Sequence, residues 1–376
     1  MRYHPLFLIT ILITLSCNEQ KQPKETSENL NGEMPFYIGT YTDQESEGIY
    51  HATLRHDGTF TNPVLKGVTE NPSFITFSKD QNYLLAVNET DGEDHMGSVT
   101  AFTIQGDSLK FNNTKPSGGA HPCYIAINEE GVVLTANYTG GNLGVHQLDD
   151  KGYLSDLTDI QQHTGQGTTA RQEGPHAHTA RFVKGTRTVI ATDLGTNELW
   201  ISTLEEKEGK PVLVSERKVL LMDGAGPRHL SFHPNGKWLY VINELNSTVN
   251  LFSMETWDML QNISTLPEEF EEESYCADLH ITKDGKFLYA SNRGHNSITI
   301  FAVNPENGQL TTVGYEDVKG NWPRNFSLTP DEAFLVVANQ YSGNICSFKR
   351  DSEDGTLSYI SAIELSSPVC ILFESN

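Results

Sequence analysis

The chain has 376 residues, 37% of them hydrophobic and 20% charged, so it can bury a sizeable core. Its formal charge of −23 speaks against nucleic acid and anionic lipid surfaces as partners, because both repel an acidic shell. Against that background, arginines and histidines gathered in one place are informative.

Residues 1–17 read as an export signal. Arg2 supplies a positive start, the apolar run 6–15 is too short to span a bilayer, and Ser16-Cys17 ends it. The pattern is similar to a bacterial lipoprotein signal, in which Cys17 carries lipid and becomes the mature N-terminus. Residues 18–33 follow as a polar tether. The expected localisation is periplasmic or membrane-anchored, with the lipid as the sole membrane contact. The globular part should span 34–376 and form a monomer or weak dimer.

From residue 72 onward the chain repeats itself. Gly226-Pro-Arg-His229, running on to Asn243-Glu244, has counterparts starting at 72, 122, 175, 276 and 323, and a split one at 368 completed by 36–40. Each unit alternates apolar residues, turns at a pair such as Asn235-Gly236, and continues in a β-branched and aromatic run, the signature of a β-hairpin. A third strand follows, as at 98–104, 248–252 and 297–303, then a more variable fourth. Four antiparallel strands per unit of 45–53 residues, seven times over, predict an all-β, seven-bladed β-propeller whose last blade is closed by both chain ends. The start of each first strand and the end of each second strand must then face one end of the ring.

Columns of equivalent residues separate scaffold from site. Asn88, Asn137, Asp193, Asn243, Asn292 and Asn339 close the second strands and read as backbone-bonding scaffold. With Pro175 as the third origin, His178 falls in an otherwise apolar column (Ile75, Ile125, Leu230, Leu279, Phe326, Ile371). His176 joins Arg228 and Arg324 one residue after the origin. Both imidazoles are expected on one strand face at the pocket end. Two arginines and a histidine in one layer suit an anion clamp, because a guanidinium binds carboxylate or phosphate in two places. Glu244 should adjoin Arg228 on the same hairpin. Arg293 follows Asn292 in the same way, and Arg171 lies in the loop before Pro175.

The other features are plain. The acidic stretch 89–95 does not fit a calcium loop and reads as a solvated loop. Cys123, Cys276, Cys346 and Cys370 match no zinc spacing and read as small core residues, with a disulfide as the alternative. No nucleophile elbow, zincin motif or phosphate loop occurs, and neither metal nor cofactor is expected.

Tyr37-Ile-Gly-Thr-Tyr-Thr42, Gly174-Pro-His-Ala-His178, Gly226-Pro-Arg-His229, Asn243-Glu244, Ser291-Asn-Arg-Gly-His295 and Pro323-Arg-Asn325 together resemble the bacterial lactonase propeller family. That family contains the cycloisomerase-type 6-phosphogluconolactonases and the fungal 3-carboxy-cis,cis-muconate lactonising enzyme. The resemblance covers 34–376. It implies a histidine (His176 or His178), Arg228, Glu244 and Arg293 as functional residues, with Arg324 beside them; Arg171 is a substrate-binding candidate from its place in the loop alone. The implied reaction is opening of a small anionic or sugar-like lactone. In it the arginines hold the anion, Glu244 or His178 activates water, and the other histidine protonates the leaving oxygen. A lactonising cycloisomerase and a non-enzymatic binding propeller are the alternatives. An export signal would keep the protein away from a cytosolic phosphorylated sugar lactone.

Overall fold

The computed structural model describes residues 1–2, 32–92, 94–106 and 108–374. Cys17, the rest of the signal from residue 3 and most of the tether lie outside the described residues. Twenty-eight strands pair into seven four-stranded antiparallel sheets. Blades 1 to 6 take the chain in order over 75–116, 122–162, 177–220, 227–264, 275–317 and 323–364. Blade 7 joins the C-terminal strand Pro368–Phe373 to Met34–Thr40, Gly48–Leu54 and Val64–Val68, in that spatial order. Closing the ring this way leaves no inner strand unpaired.

Each blade follows from its hairpin chemistry. In blade 4, Phe232 pairs with Leu239 across a turn in which Gly236 takes φ 72°, a conformation glycine adopts without steric cost. The apolar alternation then fixes which face meets the neighbouring blade. Seven buried clusters result, one in each seam between adjacent blades. Blades 4 and 5, for example, meet through Tyr240, Leu251, Leu279 and Phe301. No helix among the described residues is long and apolar enough to cross a membrane.

The asparagine column is scaffold, as its regularity suggests. Asn292 Nδ2 donates to the Thr265 carbonyl at 3.0 Å and to Thr299 Oγ1 at 2.9 Å; Asp193 accepts from the His176 and Thr196 amides, both at 2.8 Å. Cys123, Cys276, Cys346 and Cys370 are free and buried, so the disulfide alternative is not realised among them.

A second regularity positions the site. In six blades the register slips just after the residue opposite the asparagine column, leaving Cys123, His178, Arg228, Ala277 with Asp278, Arg324 and Val369 out of the ladder. Such β-bulges re-aim a side chain, here toward the propeller axis. They also correct the third repeat. Asp193 pairs with Ala177, not with Pro175, so the frame there moves by two residues. Ala180 fills the apolar column, and it is His178, not His176, that shares a row with Arg228 and Arg324.

Candidate active site: an arginine-lined axial cavity

A cavity of about 630 Å³ opens at the end of the ring predicted from strand direction. Its wall comes largely from one structural row, the residue after each asparagine: Tyr41, Glu89, Tyr138, Glu244, Arg293 and Gln340 all line it. His178 and Arg324 from the bulge row, Arg171 from the loop ahead of blade 3, and Asp43 and His121 add to the charged and titratable lining.

Glu244 is the centre of a guanidinium cage. Its Oε1 takes Arg171 Nη2 at 2.8 Å, and its Oε2 takes Arg228 Nε at 3.0 Å and Arg293 Nη2 at 2.7 Å. Burial alone would raise its pKa, but Arg293, Arg228 and Arg171 outweigh that and bring it to about 2. A carboxylate so occupied is a poor proton acceptor and a good clamp.

The arginines differ in how much of each is already committed. Arg228 is 2% exposed, lies behind the cavity wall, and donates from Nη1 to the Ala277 carbonyl. Burial, then Arg293 and Arg324, lower its pKa to about 10. Arg293 donates to the Cys276 carbonyl at 2.8 Å and lies over the Trp322 ring at 5.3 Å. Arg171 sits on a short 3-10 turn, Ala170–Gln172, pinned by buried Gln172 donating to the Leu194 carbonyl at 2.8 Å; its side chain is 47% exposed at the mouth. Arg324 is the least committed, with Glu89 at 3.8 Å and the Tyr41 ring at 5.3 Å.

The two histidines part company. His176 stacks on Tyr138 at 4.5 Å, bonds the Tyr138 carbonyl through Nδ1 at 3.0 Å, and does not line the cavity. The expectation that both imidazoles share a face therefore fails, and the register of blade 3 is the reason. His178 lines the cavity. Burial, then Arg228, His229, Arg324 and Arg293, hold its pKa well below the usual value, so it is neutral. Its Nδ1 is enclosed without a hydrogen-bond partner among the described residues.

The row two residues after the origin, which the column reading passed over, lies out of reach of the cavity itself and forms a buried polar network. Asp278 accepts from His229 Nδ1 at 2.7 Å, from Asn325 Nδ2 at 2.6 Å and from His280 Nε2 at 3.1 Å. His229 Nε2 then meets Arg228 Nη1 at 3.4 Å. The sequence signal was available: His229, Asp278 and Asn325 stand at the same place in three first strands, two residues after the origin.

Residues 35–373 match the family model described as a seven-bladed β-propeller lactonase. The chain belongs to the lactonase propeller family. Relatives of this lactonase-family chain include the 6-phosphogluconolactonase of Bacillus subtilis, 36% identical over 90% of this chain and 97% of that one. Among solved structures, a putative 6-phosphogluconolactonase from Bacteroides fragilis superposes with a TM-score of 0.86, at 32% identity, covering 94% of this chain and all of that one. The Pseudomonas aeruginosa periplasmic gluconolactonase also gives 0.86, at 29% identity over 91% of this chain and 99% of that one. A lactonase activity is the function these relationships support.

Proposed function

We propose that the protein hydrolyses a sugar-type lactone, an aldonolactone, in the axial cavity. The observation that carries this reading is Arg324, a guanidinium lining the axial cavity with only a 3.8 Å contact to Glu89 as its charge partner among the described residues. When water adds to a lactone carbonyl, its oxygen becomes an anion. A cation held in place beforehand stabilises that charge more than it stabilises the substrate.

The remaining lining suits a polyhydroxylated ring. Tyr41, Tyr138, Gln340 and Asp43 offer hydroxyl, amide and carboxylate partners to sugar hydroxyls. Arg293 and Arg324 take the carbonyl oxygen, and His178 offers a ring N–H to the carbonyl or ring oxygen as a neutral donor. Glu244 acts as the clamp that fixes Arg171, Arg228 and Arg293, and His176 braces Tyr138 from behind. The product is a hydroxy acid whose carboxylate the same arginines hold until release.

Arg171 at the mouth is the group a terminal phosphate would meet. An exported protein anchored through Cys17 would encounter unphosphorylated aldonolactones instead, a placement that the periplasmic relative supports. The test is a lactone panel: D-glucono-1,5-lactone, its 6-phosphate and a muconolactone, each followed above its uncatalysed rate. The expected result is opening of the sugar lactones, with the unphosphorylated one turned over at least as well as its phosphate. Turnover of muconates instead would favour the cycloisomerase. No turnover, with saturable thermal stabilisation by a lactone, would favour a binding propeller.

A further inference from the structure

Beneath the main cavity lies a recess of about 10 Å³, room for about one water molecule, lined by Ser73, Glu89, Arg228, His229 and Arg324 among others. Glu89, Cys123 and Arg324 line both spaces, so the recess opens from the cavity floor. Ser73 occupies in blade 1 the place that Arg228 and Arg324 occupy in blades 4 and 6. It is 4% exposed, and its Oγ has no hydrogen-bond partner among the described residues. A buried hydroxyl left unpaired destabilises a fold, and the usual remedy is an ordered water.

The two cavity glutamates are not equivalent. Glu244 is saturated by three guanidiniums at 2.7 to 3.0 Å. Among the described residues, Glu89 accepts one side-chain hydrogen bond, from the Tyr41 hydroxyl to Oε2 at 2.8 Å, and has Arg324 only at 3.8 Å from Oε1. Glu89 therefore keeps lone pairs available at the point where the recess meets the cavity. The Cys123 thiol at the same junction is no rival nucleophile, because burial pushes its pKa well up and keeps it protonated.

We propose that this recess seats the hydrolytic water and that Glu89 is its general base, a reading that rests on the lactonase assignment above. Ser73 and Arg228 orient the water, and Glu89 Oε1 takes its proton as the oxygen adds to the lactone carbonyl carbon. The carbonyl oxygen becomes an oxyanion against Arg324. Collapse breaks the bond from the acyl carbon to the ring oxygen, and Glu89 returns the proton to that oxygen. Lactone and water thus become the hydroxy acid, with Glu89 restored.

The full chain, assayed on D-glucono-1,5-lactone, decides the matter. Glu89→Gln keeps a partner for Tyr41 and is expected to lower kcat about 10²- to 10⁴-fold, with gluconate affinity within about threefold. Glu89→Ala should regain turnover as formate is titrated in, which a purely structural glutamate would not allow. Ser73→Ala should fold with an unchanged or higher Tm yet lose several-fold in kcat at constant KM. A crystal structure of the wild type should show one ordered water bonded to Ser73 Oγ and Glu89. Wild-type kcat in Glu89→Gln, or a recess without solvent density, overturns the proposal. A wild type inert to every lactone defeats hydrolysis and with it the role of Glu89 as base, while the crystal density still decides the water site.

Discussion

Glu244 shows why a charged residue in a pocket need not be the reacting one. Three cations within hydrogen-bond reach of its two oxygens make it the keystone of the cluster, and removing one partner of a buried ion pair commonly costs about 3–5 kcal/mol. Glu244→Gln should therefore lower the Tm by several degrees at pH 7, and thermal melts check it. The pH dependence has a definite sign. Its folded pKa, about 2, lies below the ordinary 4.5, so its stabilisation is complete above about pH 4.5 and is lost as the pH falls toward 2. His178 and His229, both depressed below 6.5 and His229 to about 4, stay neutral while the unfolded chain takes up protons. They too cost stability as the pH drops below 6.5. The wild-type Tm should fall progressively with acid, and Glu244→Gln should flatten the part below pH 4.5. An unchanged Tm and an unchanged acid limb in that variant would contradict the clamp.

At the scale of the element, the bulge in six of the seven first strands converts a repeating strand into a set of unlike side chains on one axis. That device was partly legible. The row containing Arg228 and Arg324 stood out as charge in a scaffold position. In blade 3, however, Pro175 imitated the origin and displaced His178 by two places. The warning was spacing: Pro227 to Asn243 and Pro323 to Asn339 are 16 residues apart, whereas Pro175 to Asp193 is 18. Glu89 was misread for another reason. It follows Asn88 just as Glu244 follows Asn243, but it opens the acidic stretch 89–95, which reads as a solvated loop; only closure of the ring brings it to Arg324 from blade 6. Blade count, strand order and closure by both termini needed only local patterns that agree with one another, which is why they were readable without coordinates. The strand ends also carry a test. Gly294 follows Arg293 with φ 114°, and a Cβ there would collide with the Glu273 carbonyl oxygen. Gly294→Ala should cost about 1–3 kcal/mol and, by shifting Arg293, lower kcat/KM for the lactone about tenfold or more. A variant with wild-type kcat/KM would show that Arg293 needs no exact placement.

At the scale of the whole molecule, seven seams hold seven blades, and the apolar core is spent on building a ring around a charged cavity. A chain of net charge −23 gathers Arg171, Arg228, Arg293 and Arg324 within reach of that one cavity, with Glu89 and Glu244 among them. The cost of that gathering is visible in Arg228, whose pKa is lowered first by burial and then by Arg293 and Arg324. A scaffold has no use for such a cluster, whereas a site that must hold a developing oxyanion does.

The most direct measurement is the rate of D-glucono-1,5-lactone opening, above the uncatalysed reaction, by the wild type and by Arg324→Ala at saturating lactone and constant pH. Loss of one oxyanion donor costs about 10²- to 10³-fold in kcat, and the variant should show a fall of that size while its Tm stays close to the wild type. Equal kcat for the two proteins would contradict the assignment of this cavity as the place where the lactone is opened.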